Sequence, residues 1–132
     1  MVELRLTTER QSQLVDITRL VKDAVAGQPG AAVLVYVPHT TAGVTVNEHA
    51  DPAVARDFET ALERIVPADW SWQHVEEGEE NAPTHIRAAF MGPSVVIPRH
   101  DDGSLALGTW QGVFFCEFDG PRERSVYVSV LQ

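Results

Sequence analysis

Hydrophobic positions along this chain fall into two periods. Val2, Leu4 and Leu6 alternate with Glu3, Arg5 and Thr7, the two-residue period of a strand with one buried face. Residues 8–12 are polar and read as a turn. Leu14-Val15-Asp16-Ile17 offers a short second strand. Thr18 then stands as the cap of a helix that places Leu20, Val21, Ala24 and Val25 on one face and stops at Gly27 and Pro29-Gly30. Residues 31–37 are apolar on both faces, as in a central strand covered on both sides. A shorter strand follows at residues 44–47. Asp51-Pro52 has the form of an N-cap with proline at the first helical position. Behind it Val54, Phe58, Leu62 and Ile65 recur at near-helical spacing up to Pro67.

Residues 70–80 are loop by composition, with Gly78 amid four glutamates. Asn81 offers a cap for a helix over residues 82–91 that carries His85 and Arg87. Its Pro83 falls in the first turn, where the missing N–H does no harm, and Gly92-Pro93 ends it. Residues 94–98 form a strand, Asp102-Gly103 is a hairpin turn signal, and residues 105–107 return from it. Residues 113–118 are apolar on both faces apart from Glu117. Asp119-Gly120-Pro121 turns the chain into a last strand over residues 125–131. Neither a repeat nor a linker interrupts the pattern. The expected fold is a single α+β domain over residues 1–132. It is a mostly antiparallel sheet or sandwich of about seven strands, with two or three helices packed against it.

Composition narrows the partners. A chain of 132 residues buries roughly two thirds of its unfolded surface and holds a core. Ten basic against nineteen acidic residues give a net charge of −9, which argues against nucleic acid, whose binding needs clustered Lys and Arg. A small phosphorylated substrate needs only two or three local cations and stays open. No apolar run approaches the ~20 residues of a membrane span. The first residues lack the basic-then-apolar layout of a signal peptide, so a cytoplasmic location without a membrane partner is expected. The lone Cys116 lies in an apolar run and reads as a small buried hydrophobe.

Three segments concentrate the groups that do chemistry, and together they read as one site. The first is His39-Thr40-Thr41-Ala42-Gly43 with Asn47-Glu48 and Asp51 behind it. The second runs from His74 through Glu76 and Asn81 to His85, and the third is Gly108-Thr109-Trp110-Gln111-Gly112. Imidazoles drawn from distant loops can hold zinc or a similar ion; the competing reading is surface histidines bonded to nearby backbone, which also fits His49 and His100. Runs of glutamate are usually solvated faces. Glu48 and Glu76 stand out because each adjoins a candidate histidine, where a carboxylate serves as ligand or general base. The helix starts at Asp51 and Asn81 offer free N–H groups to a phosphate, joined by the Thr40 and Thr41 hydroxyls and by Arg87, Arg122 and Arg124. Against this, Asp51 can fill its own helix terminus. Trp110 between two glycines suits a ring stacked on a planar heterocycle whose edge Gln111 reads, or equally a core or subunit contact.

These residues resemble the YjbQ (UPF0047) family over nearly the whole chain. The likeness rests on His39-Thr40-Thr41, Asn47-Glu48, Ala50-Asp51-Pro52, His74, Gly78, Asn81-Ala82-Pro83-Thr84-His85, Gly108-Thr109-Trp110-Gln111 and Glu117-Phe118-Asp119-Gly120-Pro121-Arg122. The resemblance implies an α+β homotrimer with secondary thiamine-phosphate synthase activity. That reaction joins hydroxymethylpyrimidine diphosphate to thiazole phosphate and releases pyrophosphate. The resemblance also implies a divalent metal ion, zinc or magnesium, at His39, His74 and His85. On that footing Glu48, Glu76, Trp110 and Gln111 are expected to be catalytic, and Thr40, Thr41, Asn47, Asp51, Asn81 and Thr109 to bind substrate. A metal-dependent hydrolase using Glu76 as base, and a trimeric binding module without turnover, are the alternatives. The chain departs from the family pattern at His49, where a polar amide is common, and in the Asp101-Asp102-Gly103 turn.

Overall fold

A computed structural model describes residues 1–75 and 81–132. Among the described residues the elements run β1 (Val2–Thr7), β2 (Gln13–Asp16), α1 (Thr18–Val25), β3 (Ala32–Tyr36), β4 (Ala42–Glu48), α2 (Pro52–Ile65), α3 (Asn81–Met91), β5 (Ser94–Pro98), β6 (Gln111–Glu117) and β7 (Glu123–Leu131). Two antiparallel sheets result, in the orders β1-β7-β3-β5 and β2-β6-β4. This is the expected α+β sandwich.

The two-residue period assigns each sheet its faces. Val33 and Val35 of β3 and Val126 and Val128 of β7 meet Val44 of β4 and Val113 and Phe115 of β6 between the sheets, where α1 adds Val21 and Val25. The opposite face of the smaller sheet presents Leu14, Phe114 and Cys116 to Leu62 and Phe58 of α2 and to Ala88 and Met91 of α3. Strand β6 is therefore buried on both faces, as its unbroken apolar run requires. Both covers come from this chain, so a neighbouring subunit is not needed for it. Strand β3 departs from expectation. It is central in its sheet, but only Val33 and Val35 are buried, while Leu34 is half-buried and Tyr36 exposed.

Three local expectations are corrected. Thr18 does not cap α1, whose N-cap is Ile17 without a side-chain bond. Asp16 takes the capping part by accepting from Thr18 N at 3.0 Å. The Thr18 hydroxyl donates to Asp16 Oδ1 at 2.6 Å and accepts from Val113 N at 2.8 Å, stitching α1 to β6. Asn81 is the first residue of α3 rather than its cap. Residues 105–107 form no strand beyond a bridge between Arg99 and Leu105. Ala106 N donates to Pro98 O at 2.8 Å, but Pro98 has no N–H to return and the ladder ends there.

One glycine sets the position of α3. A side chain at Gly43 would place its Cβ 2.7 Å from Gly92 O and 3.0 Å from Met91 Cβ. Without one, the C-terminal end of α3 lies directly on β4, and Val44 N donates to Gly92 O at 3.0 Å. The same helix then carries its first turn to the loop of residues 37–41.

Candidate functional site

That loop joins β3 to β4 and presents His39, Thr40 and Thr41. His39 Nε2 accepts from the backbone N–H of Ser125 on β7 at 3.0 Å. The lone pair at Nε2 is thus committed, and the neutral ring carries its proton on Nδ1. Burial, and after it the positive charge of Arg124, holds the His39 pKa below the usual histidine value.

Helix α3 brings a second imidazole, His85, and its Asn81 meets a third, His74, from the preceding segment. His85 Nδ1 lies 3.0 Å from Thr40 O; a carbonyl only accepts, so Nδ1 holds a proton and donates it. His85 Nε2 and His74 Nε2 stand 2.8 and 2.7 Å from the same atom, Asn81 Oδ1, and the two ring centroids are 5.3 Å apart. With the amide oxygen at that point both Nε2 atoms are protonated and His85 is a cation. With the amide turned over, its nitrogen donates to two neutral rings. Either way two imidazole nitrogens converge on one point. A divalent ion fits such a pair at about 2.0–2.1 Å per nitrogen, especially with the Nδ1 proton of His85 fixed by a carbonyl. His39 joins them only by releasing Ser125 N. Among the described residues no three metal-binding side chains are already gathered as a ligand set.

Beneath His39 lies a buried ion pair. Glu117 is fully buried and Arg124 almost so. Arg124 binds Glu117 side-on through Nε, at 2.8 Å, and Nη2, and Nη2 also donates to Thr41 Oγ1 at 2.8 Å. Thr8 Oγ1 donates to Glu117 Oε1 at 2.7 Å, and the Phe118 and Asp119 N–H groups reach Oε2 at 3.1 Å each. Burial by itself would raise the Glu117 carboxyl. The bonds from Arg124, Thr8 and Asp119 N, with the Arg124 charge, outweigh it and leave the pKa below the ordinary value. Above the pair opens a cleft of about 390 Å³ lined by His39, Thr40, Asn81, His85, Arg122 and Arg124. Arg122 is anchored to Asp119, through Nε to the backbone oxygen at 2.8 Å and through Nη2 to Oδ2 at 2.7 Å.

The expected single site divides in two. Ala42 pairs with Glu117 at one end of β4, and Glu48 pairs with Gln111 at the other. Six residue steps of about 3.4 Å put roughly 20 Å between these ends. His39, Thr40, Thr41, His74, Asn81 and His85 gather at the first end; Asn47, Glu48, Asp51, Thr109, Trp110 and Gln111 belong to the second. There Trp110 sits 63% exposed in a turn. Gln111 Oε1 closes that turn by accepting from Gly108 N at 2.8 Å. A side chain at Gly112 would run into the His49 ring, so that glycine admits a histidine rather than a ligand. Asn47 Oδ1 accepts from Glu48 N at 2.8 Å, and Asp51 caps α2 by accepting from Ala53 N at 2.9 Å. Arg87 is no free cation, since it clamps Val66 O at the end of α2 through Nε and Nη2. Glu76 lies outside the described residues. Thr41 lines the cleft as well, with its hydroxyl oxygen taken by Arg124.

Sequence reasoning missed Glu117, Thr8 and Ser125 as parts of the site. A signal was present. Glu117 shares its face of β6 with Val113 and Phe115, and Arg124 shares its face of β7 with Val126 and Val128. Parity therefore puts a carboxylate and a guanidinium inside, at the same end of the sandwich.

The molecule is thus a two-sheet α+β sandwich with an imidazole-rich cleft at one rim and a buried ion pair as its floor. A family model described as UPF0047 protein YjbQ-like matches residues 2–132, and the chain belongs to that family. It is 43% identical over 130 residues to the UPF0047 protein MJ1081 of Methanocaldococcus jannaschii, covering 96% of this chain and 91% of the relative. It is 39% identical to the UPF0047 protein YugU of Bacillus subtilis, covering 97% and 96%. Among solved structures, a YjbQ/UPF0047 family protein from Clostridium acetobutylicum superposes with a TM-score of 0.91 at 45% identity, covering 99% of this chain and all of that one. The conserved hypothetical protein TT1486 from Thermus thermophilus gives 0.89 at 39% identity, covering 99% and 100%.

Proposed function

We propose that the cleft between the 37–41 loop and α3 is the active site of a transferase of thiamine-phosphate synthase type. Its substrate would be a small phosphorylated molecule and its cofactor a divalent ion, zinc or magnesium, held by His74 and His85 together with His39. The observation that carries the reading is the convergence of His74 Nε2 and His85 Nε2 on one atom beside His39 and two arginines. A bound cation would supply charge neutralisation for a departing diphosphate. The chain's own groups orient and bind: the Thr40 carbonyl fixes the His85 tautomer, and Arg122 faces the place where anionic oxygens would lie.

Trp110 and Gln111 enter this reading only from a neighbouring subunit, because within one chain they sit at the far end of β4. The reading therefore includes a homotrimer. The half-covered outer face of β3, with Leu34 and Tyr36, supports a further contact of that kind.

The test is direct. Purified protein is incubated with hydroxymethylpyrimidine diphosphate and thiazole phosphate, with magnesium or zinc, and separately with chelator. Thiamine phosphate should form only with metal, and His85→Ala should abolish it. If concentrated protein makes no product with either ion, the transferase reading fails. Retained metal binding without product would favour the non-catalytic binding module. The base of the hydrolase alternative, Glu76, lies outside the described residues.

A further inference from the structure

The Arg124 guanidinium is closed by protein on two nitrogens and open on the third. Its Nε and Nη2 are taken by Glu117 and Thr41, whereas Nη1 makes no hydrogen bond to a described residue. Its side chain is 3% exposed, yet among the described residues no buried side-chain nitrogen or oxygen lacks a partner. Among the described residues, then, Nη1 is left to the cleft that Arg124 lines with His39, Thr40 and Arg122. An ion pair kept only to fill the core would be closed on every side, and among the described residues this one is not.

Arg122 repeats the arrangement. Its Nε and Nη2 are committed to Asp119, and its Nη1 has no partner among the described residues. Two guanidiniums that line the same cleft are thus held by their own carboxylates, each with one nitrogen that has no partner among the described residues. The proton on His39 Nδ1 adds a third N–H donor, because Nε2 is occupied by Ser125. Thr40, exposed at the mouth, adds a hydroxyl. The Asp119 carboxylate also lines the cleft but is held by Arg122; N–H and O–H donors gathered beside it suit a tetrahedral oxyanion, and arginine meets such an anion with short, charge-assisted bonds.

We infer that Arg124 and Arg122 form a receptor for a tetrahedral oxyanion, inorganic phosphate or the phosphoryl group of an organic phosphate, at the floor and rim of this cleft. Glu117 is a positioning residue: it never meets the anion but fixes the plane of the Arg124 guanidinium. The inference deepens the proposed reading of the same cleft by naming the groups that take the phosphate, and it requires no bound cation. Each carboxylate already neutralises its arginine, so binding rests on directed donors rather than on a net positive field.

The experiment is a titration of the full-length protein with inorganic phosphate, and then pyrophosphate, in chelator, followed by NMR at arginine Nε–H and histidine ring signals. Saturable shifts should appear at Arg122, Arg124 and His39, with a midpoint in the range of about 1 mM. Arg122→Gln, on an exposed side chain, should leave the melting temperature unchanged and weaken binding by about tenfold. The paired replacement Glu117→Leu with Arg124→Met removes both buried charges together; it should fold and bind no phosphate. Absence of saturation, shifts confined to Arg99 and Lys22, or wild-type affinity in Arg122→Gln would each overturn the inference. Because the assay uses chelated protein and no organic substrate, its failure is separable from failure to form thiamine phosphate.

Discussion

Replacing Glu117 by Gln removes one charge from a fully buried site and changes almost no volume. The carboxylate accepts from Thr8 Oγ1 and Arg124 Nε at one oxygen, and from Arg124 Nη2, Phe118 N and Asp119 N at the other. An amide keeps one accepting oxygen and turns an NH2 toward the donors at the other position. Whichever way it lies, an Arg124 N–H faces a donor, and with the NH2 at the second position Phe118 N and Asp119 N face it too. Stranding a buried donor costs about 1–3 kcal/mol, more for a charged one. That figure agrees with the loss of roughly 3–5 kcal/mol when one partner of a buried ion pair is removed. For a domain of this size each kcal/mol lowers the melting temperature by roughly 3–4 °C, so Glu117→Gln should melt about 10–20 °C lower. The pH dependence has a definite sign. The folded Glu117 pKa lies below its ordinary 4.5, so its contribution is fully present above that value and is lost as pH falls through the lower folded value. Denaturant melts of wild type and Glu117→Gln from pH 7 downward should therefore converge in acid. A double-mutant cycle with Arg124→Met should show a coupling above about 2 kcal/mol. Costs of less than about 1 kcal/mol for both single variants, adding without coupling, would refute the account of the cleft floor.

Other outcomes follow from single contacts. In the Arg124→Met variant the His39 pKa should rise toward that of an ordinary histidine, because after burial the Arg124 charge is what lowers it; an NMR titration of the His39 ring reads this, and no change would remove Arg124 from that role. Since the folded His39 pKa is depressed, its share of stability is present above 6.5 and is lost as pH falls. Gly112→Ala should destabilise the fold by about 1–3 kcal/mol through collision with the His49 ring. Adding His49→Gly, which removes the Cβ as well as the ring, should restore most of that, and a failure to rescue would mean the strain lies elsewhere. Burial raises the Cys116 thiol far above its usual pKa, so thiol reagents should label it only at the rate of unfolding. Gly43→Val should separate α3 from β4, and loss of the His74–His85 pairing should appear in the NMR signals of both rings.

The fold was legible because its information is local and periodic. Alternation gave β1, near-helical spacing with Asp51-Pro52 gave α2, and the unbroken apolar run of β6 announced a strand buried on both faces. Where a strand needed a partner's N–H, as at residues 105–107, the pattern misled, since Pro98 cannot return the bond. The histidine cluster was readable only through residue type and family resemblance, because no spacing along the chain joins His39 to His74 and His85.

By itself, then, the sequence determined the sandwich, its helices and the residue types that gather at the 37–41 loop. Tertiary structure decided which of them share a cleft: the antiparallel register of β4 with β6 carries Trp110, Gln111 and Glu48 to the far end of the strand, while Gly43 lets α3 swing His85 over Thr40. It also decided that Glu117 and Arg124 meet. Strand parity placed each of them inward, but only the approach of two distant strands across the core could put a positive charge against a negative one, where burial lets neither remain alone.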